Sequence, residues 1–355
     1  MTMGDGLESN LGDERTPASE DDLEERLSRP TPEAIAAFAG LDGDLVVLGA
    51  GGKMGPSLCR MAVRASAAAG VPRRVTAVSR FAAAGSRDAF ESAGVATVAA
   101  DLLAEAALDA LPDAPNVLYL AGMKFGSATD EPATWAMNAF LPGLVARRYA
   151  RSRIVALSTA NVYSFTEPAT GGAVEADPPG PVGEYAQSCL GRERIFAWHS
   201  VANGTPVALI RLAYANALRY GVLVDVARAV AAGQPVDVTM GFANVIWQGD
   251  ANAAILAAFG ACGSPPAVIN LSGPEPVSIR AAALRLAELL GVPPPVLVGR
   301  EAPTALLIDS SRAQAQFGLP RVGLEQLLQW TAAWIRGGGR LLDKPTHFQA
   351  RDGRF

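Results

Sequence analysis

Short apolar runs separated by longer helical stretches organise the chain between residues 44 and 212. Asp44–Leu48, Arg74–Val78, Val95–Ala99, Asn116–Leu120, Arg153–Leu157 and Pro206–Ile210 are each dominated by Val, Ile, Leu or Ala, with little polar alternation. Such runs predict strands covered on both faces. Between them the apolar spacing is helical, longest over Thr134–Tyr149 and Glu184–Ala202. Strand–helix alternation predicts an α/β fold, a doubly wound parallel sheet with ligands outside the carboxyl ends of its strands. Past residue 212 the pattern loosens. Helices are expected near Val222–Ala232, Ala251–Phe259, Ser278–Leu290 and Leu324–Ile335, broken by short strands and the proline turns Pro265–Pro266 and Pro293–Pro295. That predicts a smaller mixed α/β lobe covering the open side of the cleft.

The ends read differently. Residues 1–29 are polar and acidic and contain no aromatic residue. A segment with so little apolar surface to bury is expected to be largely disordered. Pro30 to Ala39 is predicted to form a short helix capped by Thr31, with Pro32 in its first turn. The expected division is a disordered segment 1–29, a dinucleotide-binding domain 30–212, a substrate lobe 213–340 interleaved with it, and a tail 341–355. The tail is too polar for core and is expected to cross the surface or a neighbouring subunit.

Composition narrows the partners. Half of the 355 residues are hydrophobic, and the net charge is −5. A nucleic-acid or membrane-surface partner, which would call for a basic patch, is therefore not expected. No apolar run reaches transmembrane length. Three dispersed cysteines (Cys59, Cys189, Cys262) lack metal spacing and suit a reduced cytoplasmic setting. Two histidines exclude a centre built on three, and no metal site is expected. Lysine occurs only as Lys53, Lys124 and Lys344. Two of these stand at strand ends that should face a cofactor.

The chemistry concentrates first at Val46–Val47–Leu48–Gly49–Ala50–Gly51–Gly52–Lys53–Met54–Gly55, followed by a helix from Pro56. A strand, a glycine turn and a helix make a dinucleotide-binding unit. The glycines allow a tight turn and close backbone approach to a pyrophosphate, and the helix N-terminus favours its charge.

Further motifs resemble the extended short-chain dehydrogenase/reductase family, in its NAD(P)-dependent epimerase/dehydratase branch, from about Asp44 to Ile335. Gly49, Gly52 and Gly55 fall on that family's glycine turn. Asp101–Leu102 resembles its adenine-contacting pair, and Leu120–Ala121–Gly122 its cofactor-lining segment. Asn138 matches a recurring structural asparagine. Ser158 and Thr159, in Ser158–Thr159–Ala160–Asn161–Val162–Tyr163, resemble the active-site strand end, and Tyr185 falls on the catalytic tyrosine. Arg211–Leu212 and Val245 to Ala253 resemble later landmarks, with the polar Trp247–Gln248–Gly249–Asp250 expected near the cleft. The resemblance implies a Rossmann-like fold, a nicotinamide cofactor held by Gly49, Gly51, Gly52, Lys53, Met54, Gly55 and the residues above, and proton transfer at Tyr185 with Thr159 on the same oxygen.

One position departs from the family. Its lysine, four residues after the tyrosine, is Cys189 here. A neutral thiol supplies no positive charge to lower the tyrosine pKa. Lys124 is the best substitute, with Arg192 and Arg194 further candidates, and Cys189 is either a nucleophile or acid or a small buried residue. At the end of the second strand, Ser79–Arg80 replaces the acidic residue of NAD-preferring sites, which favours NADP, although Arg80 stacking on adenine would leave either cofactor acceptable. Two functions stand. The first is an NAD(P)-dependent epimerase, dehydratase or reductase acting on a hydroxylated small molecule, a sugar or sugar derivative, as a homodimer. The second is a non-catalytic NAD(P)-binding sensor or scaffold.

Overall fold

A computed structural model describes residues 15–354. Twelve strands run in chain order: β1 (Leu45–Leu48), β2 (Val75–Ser79), β3 (Ala96–Ala99), β4 (Asn116–Tyr119), β5 (Arg153–Thr159), β6 (Val207–Leu212), β7 (Tyr214–Asn216), β8 (Val236–Asp237), β9 (Phe242–Trp247), β10 (Ala267–Leu271), β11 (Pro276–Ser278) and β12 (Leu297–Val298). Seven of them form one sheet in the order β10-β6-β5-β4-β1-β2-β3, and every pairing in it is parallel. The fold is the doubly wound, Rossmann-like α/β architecture expected from the sequence.

Burial on both faces explains the uninterrupted apolar strands. Leu45 and Val47 pack on one side with Leu58, Met61 and Phe38, beneath helices Gly55–Ala68 and Pro32–Ala39. Val46 and Leu48 point the other way and meet Tyr119, Leu141 and Phe196. Strand order reverses between β1 and β4, and that reversal opens a crevice at the carboxyl ends of the strands.

The chain beyond β6 builds a second core. Strands β11, β9 and β7 form a small sheet backed by helices Val222–Ala231, Ile279–Leu290 and Leu324–Arg336. β10 returns to the edge of the main sheet beside β6, so the two parts of the chain interleave.

The segment expected to be disordered is ordered in part. Residues 20–27 form a helix whose Leu23 and Leu27, one turn apart, are fully buried in the second core. Its charges are paired rather than merely solvated. Glu25 bridges Arg60 and Arg64 of the first sheet helix, and Glu20 and Glu24 both reach Arg219. The low apolar count of residues 1–29 concealed two leucines at helical spacing and acidic partners for distant arginines. Residues 1–14 lie outside the described part. The next helix, Pro32–Ala39, forms as predicted, with the Thr31 hydroxyl accepting from the Ala34 amide.

The tail also differs from its expectation. Thr346 and Phe348 are buried, so the segment is not confined to the surface. The Asp225 carboxylate accepts from both the amide and the hydroxyl of Thr346, at 2.8 and 2.7 Å.

Candidate active site

The glycine turn is shaped by contacts that leave no room for side chains. Gly49 follows β1 with φ +82°, and a Cβ there would lie 2.6 Å from the Ala121 backbone, just beyond β4. At Gly55 a Cβ would overlap the Ala50 carbonyl, and at Gly51 it would strike the Ser79 hydroxyl. Gly52 is different. It is exposed, and a Cβ would meet only the Gly49 carbonyl, at 3.6 Å. The first three glycines therefore fold the turn, and Gly52 keeps its outer surface bare. Helix Gly55–Ala68 begins without a side-chain cap, which leaves its N-terminus to an anion. This cradle fits a dinucleotide pyrophosphate.

Asn138 fixes the floor beside it. It lies in a π-helical turn, Ala136–Phe140, within the helical stretch predicted over 134–149. Its amide pairs with the Met123 backbone in both directions, each bond 2.8 Å, and also donates to Ser188 Oγ at 3.0 Å. Arg192 adds a bond from below, from its guanidinium to Asn138 Oδ1 at 2.8 Å, and a second to the Leu157 carbonyl at 2.7 Å. A Cβ on Gly122 would sit 2.7 Å from this guanidinium. The asparagine thus holds residues 122–124 in place and aims Lys124.

A cleft of about 250 Å³ opens over these elements, and Lys53, Met54, Gly122, Lys124, Ser158, Thr159 and Tyr185 all line it. Thr159 accepts from the Asn161 amide at 3.2 Å and lies 2.9 Å from its side-chain oxygen. Ser158 turns away and donates to the buried Glu193 at 2.5 Å. Glu193 is itself clamped by Arg211, which reaches Tyr163, whose hydroxyl donates to Asn270 at 2.9 Å. That buried chain ties β5, helix Gly183–Asn203, β6 and β10 behind the cleft.

Lys124 Nζ lies 5.9 Å from the centre of the Tyr185 ring and 5.7 Å from that of Tyr214, and donates to the Thr346 carbonyl of the tail at 3.3 Å. Burial brings its pKa down to about 8, with Cys189 and Asp225 opposing the shift. Lys53 donates to the Ala215 carbonyl at 3.0 Å and stands 3.8 Å over the Tyr220 ring. Burial, and then the charge of Lys124, bring it down to about 7. Burial and the adjacent Cys189 push the Tyr185 phenol above its ordinary value, while Thr159 and Arg192 pull it back only in part. The Cys189 thiol is closed off from solvent and pushed up by burial.

Other residues named from the sequence lie elsewhere. Asp101 and Arg80 are exposed along the same sheet edge, at β3 and β2, and Leu102 is buried. Arg194 points to solvent, whereas Arg192 is buried. The segment Trp247–Gln248–Gly249–Asp250 does not border the cleft. Trp247 packs edge-on against Trp330, Gln248 donates to Ser57 Oγ, and Asp250 accepts from the Val322 amide. Trp247, Gly249 and Asp250 border a larger cavity, about 930 Å³, between Arg26, Phe317 and Trp330, which none of the named catalytic or cofactor residues lines. Sequence reasoning missed Asn161, Tyr214 and Tyr220 in the cleft. Tyr185, Cys189 and Arg192, at i, i+4 and i+7, share one helix face, and that spacing singles out Arg192 over Arg194.

The parallel sheet and its glycine turn define a protein of the Rossmann-like, doubly wound α/β class. The chain belongs to the NAD dependent epimerase/dehydratase family, whose sequence profile matches residues 45–241. Among curated proteins no sequence match is significant. Solved structures share the fold at low identity. MoeE5 in complex with UDP-glucose and NAD is 22% identical over 83% of this chain and 99% of its own, with a TM-score of 0.67. The Thermus thermophilus UDP-glucose 4-epimerase complex with NAD is 20% identical over 83% and 99%, with a TM-score of 0.68. A dTDP-glucose 4,6-dehydratase from Bacillus anthracis in complex with NAD is 16% identical over 83% and 97%, with a TM-score of 0.69.

Proposed function

We propose that the protein is an NAD(P)-dependent epimerase, dehydratase or reductase acting on a hydroxylated sugar derivative, with nucleotide sugars the first class to test. The observation that carries this is the convergence of Tyr185, Thr159 and Lys124 on one cleft beside the glycine turn. A bound nicotinamide would accept or donate hydride. The glycine turn would hold its pyrophosphate, with Lys53, Met54, Ala121, Gly122 and Asn138 shaping the floor and Asp101–Leu102 and Ser79–Arg80 toward the adenosine end.

Thr159 and Tyr185 orient one substrate oxygen, and the proton moves at the Tyr185 hydroxyl. At neutral pH the phenol is held protonated by burial, so it serves first as a donor. Acting as a base requires a nearby positive charge; Arg192 on the same helix already draws the phenol down in part, and Lys124, 5.9 Å from the ring centre, would add the titrating charge. That help is present below about pH 8 and is lost as Lys124 deprotonates above it. Lys124→Met is expected to slow turnover and move the limb on which Tyr185 ionises to higher pH, while Cys189→Ala changes little. A pH–rate profile checks both. Turnover that survives Tyr185→Phe would end the proposal.

NADP is favoured over the NAD of the solved relatives, because β2 ends on Ser79 and the exposed Arg80 with no carboxylate there. A cytoplasmic homodimer fits the same proposal. Trp135, Phe140, Trp198 and Val201 are exposed, two on the helical stretch 131–148 and two on helix Gly183–Asn203 packed beside it. A non-catalytic cofactor-binding role is favoured by one feature, the buried thiol at position 189. Cofactor binding without turnover of a broad sugar and sugar-acid panel would select it.

A further inference from the structure

We propose that the substrate is anionic at its reacting end, carrying a carboxylate or similar group that Lys53 and Lys124 hold within the cleft. This rests on the enzymatic reading above and adds a substrate class to it. Three cations, Lys53, Lys124 and Arg192, line the cleft, and among the described residues that line it there is no carboxylate. The protein as a whole has a net charge of −5, so general charge does not explain the concentration. Two of only three lysines meet there although 70 residues of chain separate them.

Position separates this anion from the cofactor's phosphates. Lys53 starts in the glycine turn, but its ammonium reaches away from it, to the Ala215 carbonyl and the Tyr220 ring of the lobe. Lys124 is likewise drawn to the tail carbonyl of Thr346 and toward the Tyr214 ring. Both ammoniums therefore sit on the lobe side of the cleft, where a substrate would lie. Asp225, from helix Val222–Ala231, is a carboxylate that acts on both from outside the lining, and it also accepts from the Thr346 amide and hydroxyl. Cys189, Tyr185, Tyr214 and Tyr220 are neutral near pH 7, and Arg192 adds a further positive charge. Burial makes each ammonium costly, and an anion arriving beside it would restore its charge.

The test is calorimetric titration of the cofactor-loaded protein at pH 8, in two buffers of different ionisation enthalpy. The probes are D-glucuronate, inorganic phosphate and D-glucose, together with UDP-glucuronic acid and UDP-glucose. The acid of each sugar pair is expected to bind roughly tenfold or more tightly than its neutral partner, the low end for a charged hydrogen bond, with protons taken up on binding. Lys124→Met should erase that preference and Lys124→Arg should keep it. Equal affinity for acid and neutral sugar, or a preference that survives both Lys53→Met and Lys124→Met, would overturn the proposal. Phosphate or glucuronate binding that cofactor abolishes would also overturn it, because the lysines would then serve the cofactor's own phosphates. Cofactor affinity measured in the same samples keeps the outcomes apart, since a protein that binds neither NAD nor NADP fails the enzymatic reading itself.

Discussion

At the scale of single residues, the substitution at position 189 shapes the site most. A lysine there would place its charge one helical turn from Tyr185. Cys189 instead leaves no positive charge there, burial and then Cys189 hold the phenol up, and the cations nearby are Arg192 on the same helix and Lys124 from beyond β4. Lys124 reaches in from the end of β4 because Asn138 pins the backbone of Met123 beside it. The sequence makes the missing lysine legible, and the scarcity of lysine draws attention to Lys124, which the structure places in the same cleft as Tyr185. It does not reveal Tyr214 and Tyr220, because two tyrosines after β6 carry no spacing that distinguishes cleft from core. Arg80 tests cofactor choice at this same scale. If its guanidinium pairs with a 2′-phosphate, Arg80→Ala should cost about 1.5–3 kcal/mol of NADP(H) affinity and little for NAD(H). Equal losses would show that Arg80 reads adenine or nothing.

At the scale of elements, the strands were the easiest to read and the N-terminal helix the hardest. A strand buried on both faces announces itself by continuous apolar residues, and each of the first six observed strands lies within two residues of its expected bounds. Helix Glu20–Leu27 gives no such signal, because its stability comes from tertiary partners. Leu23 and Leu27 are fully buried, and Glu25 is shared between Arg60 and Arg64. Truncating Leu23 should therefore behave as a core substitution. Leu23→Ala is expected to destabilise the protein by about 2–5 kcal/mol in denaturant unfolding. A loss of a few tenths would mean that this helix is not part of the folded core in solution. Trp247 to Asp250 erred in the opposite direction. A polar segment at a strand end suggests a cleft, yet its hydrogen bonds go to Ser57 and Val322 and bind helix Gln248–Ala257 into the fold.

At the scale of the whole molecule, the two cores meet along the cleft, and the tail holds one of its lining residues, Lys124. Thr346 links Asp225 and Lys124, so the end of the chain contributes to the site although its composition suggests surface. Exposed apolar residues occur in the lobe, as at Val296 and Leu319, and also on the helices that flank the main sheet, where Trp135, Phe140, Trp198 and Val201 stand. Trp198 is 67% exposed and Val201 66%, one turn apart. If they form a self-complementary face, Trp198→Glu should convert a dimer into a monomer by sedimentation while leaving cofactor affinity intact. A wild-type monomer would remove the homodimer from the proposal.

The central claim is that the bare outer surface of Gly52 receives a nicotinamide dinucleotide. Titrating NADP and NAD into the wild-type protein and into Gly52→Val, with folding checked by circular dichroism, tests it most directly. The local geometry tolerates a side chain at Gly52, because a Cβ meets only a carbonyl at 3.6 Å, so the variant should fold. The expected result is saturable one-to-one binding in the wild type and none in the folded variant. Undiminished affinity in folded Gly52→Val, or no binding of either dinucleotide to the wild type, would contradict it.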